Sequence, residues 1–156
     1  MLSDCDLSDP AAEEIADELL YLTGKALATE CFEFFRPHFD LPQIIETLSG
    51  DRLIASERDL RMLFDDVCAE YRKKGVVNVV RSIVSSQFID ADTIGSTHVS
   101  HTIDRNGEAI GTPYPTYSIL RRKSDGWKIV RSMVVLLHRP EIEAVFAPDD
   151  TEKTVR

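Results

Sequence analysis

Two of the four histidines lie three residues apart, in the segment GSTHVSHTID at residues 95–104. An imidazole titrates near neutral pH, so His98 or His101 could act as a general acid or base, or could ligate a metal ion. On a helix this separation places both rings on one face, whereas on a strand an odd separation places them on opposite faces. The chemistry open to the pair therefore depends on the backbone that carries it.

The chain after Gly75 is rich in Val, Ile, Thr and Ser, and turn residues interrupt it at regular intervals. This composition and spacing are typical of an antiparallel meander. We predict four strands, at about 78–90, 93–105, 114–123 and 127–138. Both histidines then lie on the second strand and face opposite sides, so they cannot share a metal ion, and the sequence predicts no metal site.

The neighbours of each histidine differ in character. His101 alternates with Val99 and Ile103, which predicts that it is the more buried of the two. His98 shares its face with three residues that suit either solvent or a polar cavity, Ser96, Ser100 and Thr102. For either histidine, a structural role is the alternative to acid/base chemistry.

Two further side chains could assist catalysis. Tyr117 could donate a hydrogen bond to a developing oxyanion, with a packed strand aromatic as the alternative. Arg131 could pair with an anionic substrate group, or could point outward at a sheet edge or a dimer contact. The loop at 124–126 could contain two or three residues, and a shift of one residue reverses the face of each candidate. Tyr21 is a further possible pocket residue.

The cysteines and glycines suggest no other chemistry. Cys31 and Cys68 have no adjacent base, which argues against a thiolate nucleophile. No glycine-rich phosphate loop or dinucleotide motif is present, and no cofactor is expected.

The first half of the chain predicts helices around a hairpin. Asp9 and Pro10 suit the N-cap and first position of one helix, which Pro37 is predicted to stop. A short hairpin over about 43–55 follows. Ser56 then predicts the start of a second helix, and Gly75, preceded by two lysines, predicts its end.

Length and charge restrict the class of protein. The 156 residues fit one domain, predicted over 10–147, with flexible ends at 1–9 and 148–156. The formal net charge is -9, which disfavours a nucleic-acid partner. No apolar stretch is long enough to cross a membrane, and no export signal begins the chain, so a cytoplasmic location is expected.

The last predicted strand is apolar on both of its faces, over Val130 to Leu137. Such a strand is stabilised by cover on both sides, and the two helices can cover only one. We therefore predict a homodimer through the outer face of the sheet. The alternative is a tail or loop that folds back over this face.

The order of elements, together with the segments YSILRRKSDGW and DGWKIVRSMVVLL, resembles the nuclear transport factor 2-like superfamily in its SnoaL-like branch. The resemblance covers roughly residues 10–140. It implies an α+β fold in which a cone-shaped, curved antiparallel sheet, the four-strand meander plus the short hairpin, packs on N-terminal helices. It also implies a pocket between sheet and helices, and dimers formed by the outer sheet face.

The resemblance also implies a range of functions. It suggests a cofactor-independent isomerase, cyclase or dehydratase that uses acid/base chemistry on a small apolar carbonyl compound. The alternative is a non-catalytic dimeric binding or assembly module, including a role like that of a dioxygenase small subunit. Catalytic relatives often carry a His-x-x-x-Asn pattern on the first long strand, where this chain has Ser82 and Ser86. An enclosed cavity that contains an oriented histidine would favour the enzyme.

Overall fold

The structure is a computed structural model that describes residues 8–136 and 140–148. The helices are α1 (Pro10–Thr29), α2 (Phe32–Phe35), α3 (Glu57–Lys74) and α4 (Pro140–Phe146), and a 3₁₀ turn spans Arg36–His38. The strands are β1 (Phe39–Thr47), β2 (Gly50–Ile54), β3 (Asn78–Asp90), β4 (Thr93–Ile103), β5 (Tyr114–Lys123) and β6 (Gly126–Val134).

The six strands form one sheet in the order β2-β1-β6-β5-β4-β3. Only the β1–β6 pair is parallel, and the other pairs of this sheet are antiparallel. The predicted α+β fold, a meander plus a hairpin packed on helices, is confirmed. The last strand ends at Val134, four residues earlier than predicted.

The predicted helix starts are confirmed by side-chain caps. Asp9 accepts a hydrogen bond from the Ala11 N–H at 2.8 Å, and Ser56 accepts one from the Asp59 N–H at 3.2 Å. These bonds satisfy backbone donors that the first helical turn leaves free. Gly75 ends α3 with a φ of 80°, a conformation that costs glycine little.

The prediction that Pro37 stops the first helix is wrong. The helix α1 ends at Thr29, and Glu30 adopts a left-handed conformation with a φ of 55°. The Cys31 N–H returns to the Ala26 carbonyl at 2.9 Å, which closes the helix. The reversal lets Phe35 pack on Phe64 of α3, with ring centroids 4.9 Å apart, and this contact stabilises the break.

Two β-bulges change which face the strands present. On β6, Ile129 pairs with Leu120 and Arg131 pairs with Ile119, so Val130 has no partner. On β3, the register shifts at Val84 between its neighbours Ile83 and Ser85. Because each bulge inserts one residue, the side chains beyond it exchange faces.

The helices α1 and α3 cover one face of the sheet, which we call the inner face. It is defined by Ile94, Ser96, His98, Ser100 and Thr102 on β4 and by Tyr114, Thr116, Ser118 and Leu120 on β5, all buried. The other face is the outer face. No helix among the described residues combines the length and apolar character needed to cross a bilayer.

Two residues of the N-terminal segment that we predict to be flexible, Ser8 and Asp9, contact the sheet. The Asp9 N–H donates to the Ser86 carbonyl at 2.8 Å, and the Ser86 N–H donates to Ser8 Oγ at 3.1 Å. The remainder of the predicted flexible ends, 1–7 and 149–156, lies outside the described residues.

Candidate functional site

The two histidines of β4 lie on opposite faces, as their spacing predicts. His98 is on the inner face and only 4% exposed, whereas His101 is on the outer face and partly exposed. The prediction that His101 is the more buried is therefore wrong. The reason is that the helices cover the polar side of β4, while Val99 and Ile103 share the outer face with His101.

A cavity of about 90 Å³ lies between the inner face and the helices. Its helical wall is apolar apart from Thr23, and its sheet wall combines polar with apolar side chains. The polar residues of the sheet wall are Gln43, Arg81, His98, Ser100, Thr116, Ser118 and Ser132, and its larger apolar residues are Phe39, Ile45, Ile129 and Val134. Such a lining suits a largely apolar molecule that carries a polar group.

Among the described residues that line the cavity, three polar atoms have no hydrogen-bond partner. They are His98 Nδ1, Gln43 Oε1 and Arg81 Nε, and each is buried from solvent. Gln43 is only 2% exposed. Leaving a buried polar atom unpaired costs roughly 1–3 kcal/mol, so this group of atoms indicates that the cavity receives water or a ligand.

Arg81 brings a positive charge to the cavity without a carboxylate to balance it. Its Nη1 donates to Thr23 Oγ1 at 2.7 Å and to the Leu20 carbonyl at 3.2 Å. Among the described residues, no ion pair involves Arg81, and no Asp or Glu lines the cavity. The cavity therefore has a positive charge although the whole chain has a net charge of -9.

His98 is held neutral by its surroundings. Burial, and to a lesser extent the Arg81 charge, lowers the pKa of the imidazole from 6.5 to about 3. A neutral imidazole offers one N–H donor and one acceptor, but with this pKa it accepts a proton weakly at neutral pH. No described residue forms a hydrogen bond with the His98 imidazole, so none of them is the orienting acceptor that the enzyme hypothesis predicts.

The other predicted site residues lie outside the cavity. Tyr117 is on the outer face and 41% exposed, and Tyr21 is 64% exposed on α1. Arg131 is also on the outer face, where its Nε donates to Glu46 Oε1 at 2.8 Å. Without the bulge at Val130, Arg131 would share the inward face of Ile129. Of the four candidates, His101, His98, Tyr117 and Arg131, the structure brings only His98 to the cavity.

The two serines at the positions of the His-x-x-x-Asn pattern do not face one pocket. Ser82 is exposed on the outer face, and Ser86 is buried, where its Oγ lies 2.7 Å from Ser96 Oγ. The bulge at Val84 places them on opposite faces. Neither serine lines the cavity.

Sequence reasoning missed Arg81 and Gln43. Arg81 alternates with Val79 and Ile83, so a charge at an inward position was a usable signal. Gln43 gave no comparable signal, because the adjacent Ile44 and Ile45 are both apolar and do not reveal which face is inner.

The remaining reactive groups of the described residues form neither a thiolate nucleophile nor a metal site. Burial raises the pKa of the Cys68 thiol to about 11, which keeps it protonated and unreactive at neutral pH. Within residues 8–136 and 140–148, no three His, Cys, Asp or Glu side chains converge as a metal ion would require.

Neither a family model nor a curated protein matches the chain. Solved structures do match, at low sequence identity. A domain of unknown function with a cystatin-like fold from Nostoc punctiforme has a TM-score of 0.63 and 13% identity, over 95% of this chain and 94% of that one. An NTF2-like protein with a cystatin-like fold from Novosphingobium aromaticivorans has a TM-score of 0.63 and 14% identity, over 89% and 90%.

A third similar structure is a candidate ketosteroid isomerase from Shewanella frigidimarina. It has a TM-score of 0.57 and 18% identity, over 77% of this chain and 94% of that one. Together these similarities show that the chain has the cystatin-like fold of NTF2-like proteins. The more specific SnoaL-like branch stays a prediction.

The pH dependence of stability tests the neutral state of His98. Between pH 6.5 and pH 3 the unfolded imidazole binds a proton that the folded one does not, so stability is lost as pH falls. From about pH 7.5 to about pH 5, the free energy of unfolding should fall by roughly 2 kcal/mol more for the wild-type protein than for His98→Gln. Urea unfolding at each pH measures this difference, and parallel profiles would contradict it.

Proposed function

We propose that this protein binds a small, largely apolar molecule with a carbonyl or similar oxygen in the cavity. The observation that supports this most directly is the set of three unpaired polar atoms, on His98, Gln43 and Arg81, among the cavity-lining residues. The volume of about 90 Å³ is below the roughly 300 Å³ at which typical ligand pockets begin. A compact ligand is therefore the best match.

Binding at this site can be tested with cyclopentanone, a compact apolar ketone. We expect its dissociation constant, measured by NMR titration, to rise at least tenfold in Ser100→Leu, because the larger side chain enters the cavity. The matched variant is Ser82→Leu, at an exposed outer-face position, which should bind as the wild type does. Equal dissociation constants for all three proteins would mean that cyclopentanone binds outside the cavity.

A cofactor-independent isomerase, cyclase or dehydratase is the catalytic form of this proposal. It is favoured by the positions of Arg81 and His98, which are diagonal neighbours on the inner face of paired strands. A guanidinium and a neutral imidazole can both donate to an oxyanion as it develops from a carbonyl oxygen. Because His98 is a weak base, polarisation of the oxygen is its stronger role, and solvent water or hydroxide would accept the α-proton.

Exchange of ketone α-protons with solvent deuterium tests for this chemistry. We expect the wild-type protein to accelerate exchange in cyclopentanone above the buffer rate, and His98→Gln to lose at least nine-tenths of that acceleration. Proton NMR measures both rates. An exchange rate equal to that of buffer, with ketone still bound, would instead support the non-catalytic binding module.

We further propose a homodimer through the outer face. Several large apolar side chains on this face are 41–61% exposed, namely Val80, Val84, Ile89, Tyr117 and Met133. Tyr117 and Met133 are direct neighbours across β5 and β6. The Tyr117 side chain lies over Gly95, where an added Cβ would clash with its hydroxyl. An exposed apolar face of this kind suits a second copy of itself.

Light scattering after size-exclusion chromatography tests the dimer. We expect the wild-type protein to be dimeric and Met133→Lys to be monomeric, because the ammonium group would be buried at the contact. Leu48→Lys introduces the same charge at an exposed apolar residue of the β1–β2 turn, and it should stay dimeric. A monomeric wild type, or a dimeric Met133→Lys, would refute this interface.

A further inference from the structure

We propose that the ligand of the cavity is a compact monocarboxylate, held through its carboxylate by Arg81. The inference rests on the proposed ligand-binding function and names the chemical class of that ligand. It depends on how arginines elsewhere in this chain satisfy their donors.

Five other arginines of the described region each bring Nε within 3.4 Å of a carboxylate oxygen; they are Arg36, Arg61, Arg72, Arg122 and Arg131. Arg36 is the most informative, because its Nη1 donates to the Phe39 carbonyl at 3.0 Å while its Nε donates to Glu57 at 2.8 Å. One edge of its guanidinium thus binds backbone, and the other binds a carboxylate.

Arg81 has the backbone contact of this arrangement but lacks the carboxylate contact. Its Nη1 is engaged by the Leu20 carbonyl and by Thr23 Oγ1, and these contacts fix the guanidinium against α1. Its Nε is buried and has no partner. A guanidinium stays charged at every physiological pH, so it cannot relieve its burial by losing a proton. A ligand carboxylate would provide the missing acceptor and the missing negative charge.

The cavity side of Arg81 favours an anion over a neutral or cationic head group. None of the described residues that line the cavity is acidic, and His98 is neutral. The net charge of the whole chain is strongly negative and repels anions. The attraction for an anion must therefore come from Arg81 itself. The hydroxyls of Ser100, the direct neighbour of Arg81 on β4, and of Thr116 also line the cavity and supply further donors.

The opposite wall limits the body of the ligand. Leu63, Phe64 and Val67 of α3 present only apolar atoms from their side chains, in a cavity of about 90 Å³. A second charged group on the ligand would be buried against this wall at a high cost. A branched, short-chain monocarboxylate such as isobutyrate combines the required charge with the required size.

Isobutyrate and isobutyramide form a matched pair, because they have nearly the same shape and differ in charge. In calorimetric titrations of the whole protein at neutral pH and fixed ionic strength, we expect isobutyrate to bind at least tenfold more tightly than the amide. Arg81→Met should lower the isobutyrate affinity to that of the amide. Arg121→Gln removes a charge at an exposed outer-face position, and it should leave the wild-type preference unchanged.

The failures of the two proposals can be distinguished. If the amide binds the wild-type protein as tightly as isobutyrate does, or if folded Arg81→Met retains full isobutyrate affinity, the carboxylate inference is overturned while ligand binding stands. If isobutyrate, the amide and cyclopentanone all fail to bind, both proposals are overturned. The comparison of the two ligands on the wild-type protein decides the matter even if Arg81→Met does not fold.

Discussion

A polar sheet face buried beneath the apolar faces of two helices is the constraint on which this structure depends. Buried polar groups must find partners, and the inner face satisfies several of them internally. Ser86 Oγ lies 2.7 Å from Ser96 Oγ, and Thr102 Oγ1 donates to the Ile110 carbonyl at 2.7 Å. Toward the centre of the face this pairing fails, and the unpaired atoms there belong to residues that line the cavity. The fold thus leaves polar atoms unpaired at the place where it leaves space for water or a ligand.

Much of the fold follows from local sequence signals. The caps at Asp9, Ser56 and Gly75 act through one or two residues, so their chemistry is visible in the sequence. The alternation of β4 separates His98 from His101 for the same reason. The break of α1 at Glu30 depends instead on distant packing between aromatic side chains of α2 and α3, which no local pattern records.

The site was less predictable than the fold, because the two bulges decide which side chains face inward. A bulge at Val130 moves Arg131 out to an ion pair with Glu46, and a bulge at Val84 separates the faces of Ser82 and Ser86. Neither bulge contains a glycine or proline, so the sequence gives no signal for it. Arg81 lies before the bulge on β3, so simple alternation places it correctly, and it supplies the one charge among the described residues that line the cavity.

The central claim is that the unpaired atoms of Arg81, His98 and Gln43 mark a site for water or a ligand. A crystal structure at high resolution would test it most directly, because it would show which groups form hydrogen bonds with these atoms. We expect electron density for ordered water or a bound small molecule within hydrogen-bond distance of Arg81 Nε, and of at least one of His98 Nδ1 and the Gln43 amide. A collapsed cavity, in which these side chains pair with one another or turn out to solvent, would contradict it.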